Sequence, residues 1–138
     1  MSLTTDSISI QLLESYQSLF AGFPQRVQVD GLTPGWLHIL MLVDRNPDLS
    51  QTGLARATHV EPATVVNKID QLEKRGWLRR ARSRTDRRTH TLFLTRRGQE
   101  ILQQAKTNLD ENERRLTRNL STDEKATLFD LLRRIDTP

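Results

Sequence analysis

Arginine dominates the residues of this chain that could do chemistry. Residues 79–95 read RRARSRTDRRTHTLFLT, with six arginines in the first ten positions and Asp86 the one acid among them. A guanidinium is always charged and presents a planar fork of N–H donors, so a cluster of them grips oxyanions rather than moving protons. Between Lys74 and Arg97 ten Lys/Arg stand against one Asp, a balance of +9 in a chain whose net charge is +4. The positive charge is therefore focused, and the rest of the chain is net acidic. Such a patch draws polyanions, nucleic acid foremost, although an acidic membrane surface or protein partner has the same sign. A solvated charged loop with no task would share this composition, and composition alone weighs the two evenly.

Other chemistries find little support. No Gly-rich phosphate loop, G-x-S-x-G or H-E-x-x-H is present, which argues against an enzyme. The chain has no cysteine, which removes disulfides, thiolate metal sites and thiol nucleophiles, and His38, His59 and His90 do not fall at metal-ligand spacing. We therefore expect no metal and no cofactor. Neither a membrane-spanning apolar run nor a secretory start is legible, and the expected compartment is the cytoplasm. A length of 138 residues suits one domain, over 1–138, with no internal repeat.

The elements that must position the arginines follow from periodicity and punctuation. Ile8, Leu12, Leu13, Tyr16, Leu19 and Phe20 form one helical stripe, which Gly22, Pro24 and Gly31 then break. A second helix is predicted from Pro34 to about Asn46-Pro47, with Leu37, Leu40 and Met41 on one side. Ser50 can cap a short third helix carrying Leu54 and Ala55, followed by a tight break at Thr58-His59. A fourth opens at Glu61-Pro62 and ends at Arg75, with Gly76 suited to a left-handed stop. Its seam is Val65, Ile69 and Leu72, which leaves Pro62, Ala63, Val66, Asn67, Asp70 and Lys74 on the free side.

Two extended runs, Trp77–Ala81 and Thr89–Thr95, then make a hairpin with an arginine-rich tip. Thr95 caps a long helix bearing Ile101, Leu102, Ala105, Leu109 and Leu116. Ser121 and Glu124 form a capping box before a last helix with Leu128, Leu131, Leu132 and Ile135. Helix, turn, helix and basic hairpin in that order spell a winged helix-turn-helix, over about 34–95. The fold class expected is mainly α with a small β-hairpin wing, flanked by N- and C-terminal helices at about 6–22 and 96–136. In such a motif the second helix enters the major groove and the wing reaches the backbone or minor groove. The flanking amphipathic helices need a surface to bury them, and a second copy of the chain supplies one.

The segments LTPGWLHIL, LSQTGLARATHVEPATVVNKIDQLEKRGWLRR, TDRRTHTLFLTRRGQEIL and LSTDEKATLFDLLRRI carry a resemblance to the MarR family of bacterial transcription regulators, and within it to SlyA-type members. Asp86-Arg87-Arg88, followed by Leu94-Thr95 and Gly98, is its most specific part. The resemblance implies a homodimer that binds a palindromic double-stranded operator, a repressor relieved by a small aromatic or phenolic ligand. Asn67 falls where members often place a base-reading arginine. Arg88 matches the wing arginine of the minor groove, Asp86 the acid that orients it and Arg87 a second wing contact, with Arg84 beside them. Ser50, Gln51 and Thr64 match positions that commonly meet phosphates. Trp36 and His38 fall where an effector crevice would be lined.

The sequence also departs from the family. Glu61 replaces a small cap and would repel phosphates. Asn67 keeps hydrogen-bonding capacity, including a bidentate fit to adenine, but loses charge and reach. Gly53 replaces a glutamate that would complete a capping box. Two other functions stay open: a winged module for protein–protein contact, and a sequence-neutral architectural DNA binder.

Overall fold

A computed structural model of the chain describes residues 7–135. Seven helices and one hairpin follow one another: α1 Ile8–Phe20, α2 Phe23–Val27, α3 Pro34–Arg45, α4 Gln51–Thr58, α5 Pro62–Lys74, β1 Leu78–Arg82, β2 His90–Leu94, α6 Arg96–Leu116 and α7 Thr122–Arg134. The fold is mainly helical with a two-stranded antiparallel wing, as the sequence implies. Residue 6 and residue 136, which the sequence assigns to the flanking helices, lie outside the described residues.

Start and stop signals act where they were expected. Thr33, Ser50, Thr95 and Ser121 each accept a backbone N–H three residues on, fixing the starts of α3, α4, α6 and α7. His59 and Gly76 adopt left-handed conformations after α4 and α5, with φ of 53° and 72°.

One helix was not foreseen. Gly22 and Pro24 read as breakers, yet α2 forms between Gly22 and Gln28 with Pro24 inside it, because proline is tolerated in a first helical turn. Its Phe23 and Val27 are fully buried. Its carbonyl end is held from α6, where Asn108 Nδ2 donates to the Val27 carbonyl at 2.8 Å and Gln104 Nε2 to that of Gln28 at 2.6 Å.

The core joins Leu37, Ile39, Leu40 and Val43 of α3, Leu54 of α4, the Val65–Ile69–Leu72 seam of α5, Trp77 and Leu78 at the wing base, and Ile101, Leu102 and Ala105 of α6. A Cβ on Gly98 would stand 1.8 Å from the Trp77 carbonyl oxygen, so only glycine lets α6 lie directly on the wing base.

Neither α1 nor α7 has a buried residue. Leu13 and Tyr16 are each 50% exposed, and Phe129 and Ile135 are 65% and 54% exposed. Apolar stripes of that extent are unstable against water without a cover.

Candidate nucleic-acid interface

The wing is built on strand register. Leu78 pairs with Leu94, Arg80 with Leu92 and Arg82 with His90, so Arg80 shares a sheet face with buried Leu78 and Leu92. The strands span Leu78–Arg82 and His90–Leu94, one residue later at the first strand's two ends and one residue shorter at each end of the second than the expected runs. Thr91 and Leu92 point to opposite faces of the strand, yet both are buried. Thr91 forms an antiparallel bridge with Ser50, and the Leu92 amide donates to the Leu49 carbonyl at 2.9 Å. This third stretch pairs along the edge of β2 that the hairpin leaves open. It also ties the wing to the start of α4.

At the tip, Ser83 Oγ accepts the amides of Thr85 and Asp86 at 3.2 and 3.3 Å. Asp86 Oδ1 in turn accepts the amide of Arg88 at 3.0 Å, and the Asp86 carbonyl accepts that of Thr89. The expected pairing of Asp86 with a guanidinium is not what the free chain does. Its short side chain reaches the backbone two residues on, as Asp does in turns, and so sets the path of the chain under Arg88. Arg84, Arg87 and Arg88 are exposed, and none of their guanidiniums has a hydrogen-bond or ion-pair partner among the described residues. Their donors are open to an anion.

The outward side of α5 carries Pro62, Ala63, Thr64, Val66, Asn67 and Asp70, all exposed, while Val65, Ile69 and Leu72 face the core. Glu61 gives no cap bond, so the first turn of α5 lacks a side-chain cap. Ser50 is half-buried and its Oγ accepts the Gly53 amide at 3.0 Å. Gln51 is half-buried beside it.

Sequence reasoning missed two arginines. Arg80 Nη2 lies 2.7 Å from Asp70 Oδ1, its Nη1 binds Glu73 Oε1, its Nε donates to Gln51 Oε1, and Nη2 also approaches the Val66 carbonyl at 3.5 Å. One side chain thereby joins β1, α4 and α5. The signal was available, since Arg80 falls two residues from Leu78 and shares its inward face, but within the run only Arg84, Arg87 and Arg88 were singled out. Arg75, at the end of α5, stacks 5.0 Å from the Trp36 ring and 5.2 Å from that of Trp77, and donates to the Asp30 carbonyl at 3.2 Å. A Cβ on Gly31 would collide with this guanidinium.

Trp36 is half-buried and meets Trp77 edge to face at 6.0 Å, whereas His38 is exposed two residues along α3. A cavity of about 310 Å³ opens beside Trp77, lined by Val29, Asp30, Arg75, Arg97, Ile101 and Gln104 among others. Among the described residues no group of His, Asp and Glu could hold a metal ion, and no helix is long and apolar enough to cross a membrane.

Two helices joined by a tight turn, an outward helix face and a wing tipped with unpaired arginines define a winged helix-turn-helix protein. Residues 30–89 match the MarR family. Over 106 residues the chain is 35% identical to a putative transcriptional regulatory protein for the hcr operon of Thauera aromatica, covering 77% of this chain and 64% of that relative. The chain thus spans just under two thirds of that relative's length. Among solved structures it resembles the transcriptional repressor CouR bound to a 23-mer DNA duplex, with a TM-score of 0.86, 32% identity and coverage of 98% of this chain and 99% of that one. BpsR of Bordetella bronchiseptica, whose DNA binding is regulated by 6-hydroxynicotinic acid, shares the fold with a TM-score of 0.85 at 22% identity, covering 100% and 99% of the two chains. The chain belongs to the MarR family of winged helix-turn-helix transcriptional regulators, a family of regulators and not of enzymes.

Proposed function

We propose that this protein is a sequence-specific double-stranded-DNA-binding repressor that acts in the cytoplasm as a homodimer on a palindromic operator. The observation that carries the reading is the exposed Asn67 face of α5 together with the unpaired Arg84, Arg87 and Arg88 of a wing tied to the same unit. The recognition helix supplies hydrogen-bonding groups to base edges, and the wing supplies charge to phosphates and to a narrow minor groove. The CouR likeness supports it, since that repressor binds a duplex. Residues 34–95 would read the duplex and the terminal helices would dimerise. The Asp86-Arg87-Arg88 wing, followed by Leu94-Thr95 and Gly98, supports a reading as a SlyA-like member of the family.

The uncovered apolar faces of α1 and α7 support the dimer, as does an apolar cleft of about 200 Å³ between Leu19, Phe20, Leu109 and Leu116. A twofold dimer would set the two recognition helices about 34 Å apart, one duplex turn. A small aromatic or phenolic ligand would relieve repression by binding between the terminal helices and the winged unit. The cavity lined by Trp77, Arg75 and Arg97, with Trp36 packed edge to face behind Trp77, offers an aromatic ring and charge to such a ligand.

Selection from a randomised duplex library at near-physiological salt tests the reading. Enrichment of a palindrome with half-sites one turn apart and A·T-rich flanks is the expected outcome. Retention without a motif would make the protein an architectural binder, and no retention would leave the protein–protein module.

A further inference from the structure

Arg80 sits inside the arginine run but does not behave like its neighbours. Its side chain is 22% exposed and is occupied on all three nitrogens, whereas Arg84, Arg87 and Arg88 are exposed and unpaired. Its partners lie along one stripe of α5. The Val66 carbonyl, Asp70 and Glu73 are spaced by four and three residues, on the flank of the helix between the buried seam and the Asn67 face. Gln51, in the first turn of α4, completes the set.

Two consequences follow. First, Asp70 and Glu73 stand beside the face expected to meet a polyanion, where uncompensated carboxylates would repel phosphates. Arg80 offsets both. Second, a rigid guanidinium fork held at three points fixes the rotation of α5 relative to the wing and to α4, which a flexible ammonium could not do.

We propose that Arg80 is a positioning residue for DNA recognition, acting on the duplex through Gln51, Asp70 and Glu73 without touching it. Gln51 and Asp70, which the sequence assigns to the duplex, are then partners of Arg80 first. The proposal rests on the DNA-binding reading above and deepens it.

The test compares wild type with Arg80→Met, Arg80→Lys, Asp70→Asn and the Arg80→Met/Asp70→Asn double variant. Each is titrated by fluorescence anisotropy, across a salt series, against the duplex selected from the library and a scrambled duplex of the same length. Arg80→Met should lose roughly tenfold in affinity for the selected duplex and much less for the scrambled one, with an unchanged salt slope. Preference at the base position read by Asn67 should relax, which a loss of folded fraction alone would not cause. Arg80→Lys should recover only a minor part, because the charge returns without the fork. Asp70→Asn in the Arg80→Met background should restore part of the binding by removing an uncompensated carboxylate.

An equal loss on both duplexes with a salt slope lower by about one unit would make Arg80 an ordinary phosphate contact and overturn the proposal. Wild-type behaviour of Arg80→Lys would overturn it too. Should Arg80→Met fail to fold, Arg80→Lys and Asp70→Asn decide through their selectivity, and unchanged selectivity in both counts against it. Failure of wild type to bind any duplex would instead sink the DNA-binding reading itself.

Discussion

Asp86 Oδ1 accepts the backbone amide of Arg88 at 3.0 Å, while the Arg88 guanidinium has no partner among the described residues. The acid therefore shapes the turn that presents the arginine and leaves the charged end unspent. A guanidinium already paired with Asp86 would have to exchange that partner for DNA, and here no such exchange is required.

Replacing Arg88 with alanine should weaken binding at most duplexes and lower the slope of log affinity against log salt by about 0.9 unit, the effect of one lost phosphate-region contact. Anisotropy titrations at several salt concentrations give both quantities. An unchanged slope with unchanged affinity would remove the wing from the interface.

Asp86→Ala should resemble a milder Arg88→Ala, with affinity down severalfold and the salt slope nearly kept, since the guanidinium remains but its backbone support is lost. Tighter binding at every salt concentration would show that the acid matters only through its charge.

Asn67→Ala should relax preference at one base pair per half-site, at a cost of about 1–3 kcal/mol of discrimination, and leave non-specific binding nearly intact. A library selection repeated with the variant reads this directly. Uniform loss across all sequences would assign Asn67 to the phosphate backbone.

Leu132 of α7 is 44% exposed, on a helix with no buried residue. Leu132→Glu should lower the mass measured by sedimentation equilibrium towards that of one chain, and operator affinity should fall with it. A dimer of undiminished strength would place the subunit interface elsewhere.

Thr91 is 2% exposed and its Oγ1 has no hydrogen-bond partner among the described residues. Thr91→Val keeps the shape and removes the unsatisfied hydroxyl, so the urea midpoint should rise by an amount equivalent to about 1 kcal/mol. A lower midpoint would reveal a partner for that hydroxyl in solution.

Much of this architecture was legible because its punctuation is local. Pro34, Ser50, Gly76, Thr95 and Ser121 each decide a helix boundary through a backbone conformation or one capping bond, and neither depends on distant residues. The exposed face of α5 followed in the same way from the Val65, Ile69, Leu72 seam. Helix α2 was missed because Pro24 signals both an end and a beginning, and only burial of Phe23 and Val27 against α6 selects the second. The bridge between Thr91 and Ser50 joins residues forty-one apart, which no local pattern announces. Arg80 was hidden by its company: amid six arginines the period of a strand is easily overlooked, and its partners come from two other helices.

The contact between Gly98 and the Trp77 carbonyl has a mechanical meaning. Helix α6 is 21 residues long, about 31 Å at the usual rise, and at its first turn no side chain cushions it from the base of the wing. Any displacement of this end of α6 would therefore reach the wing base with no yielding side chain between them. A tilt of about 5° pivoting on its far end would carry its first turn roughly 3 Å sideways, close to the spacing of one base pair along the duplex axis. Adding one methyl group there would force the start of α6 off the Trp77 carbonyl and shift the wing base relative to the helix.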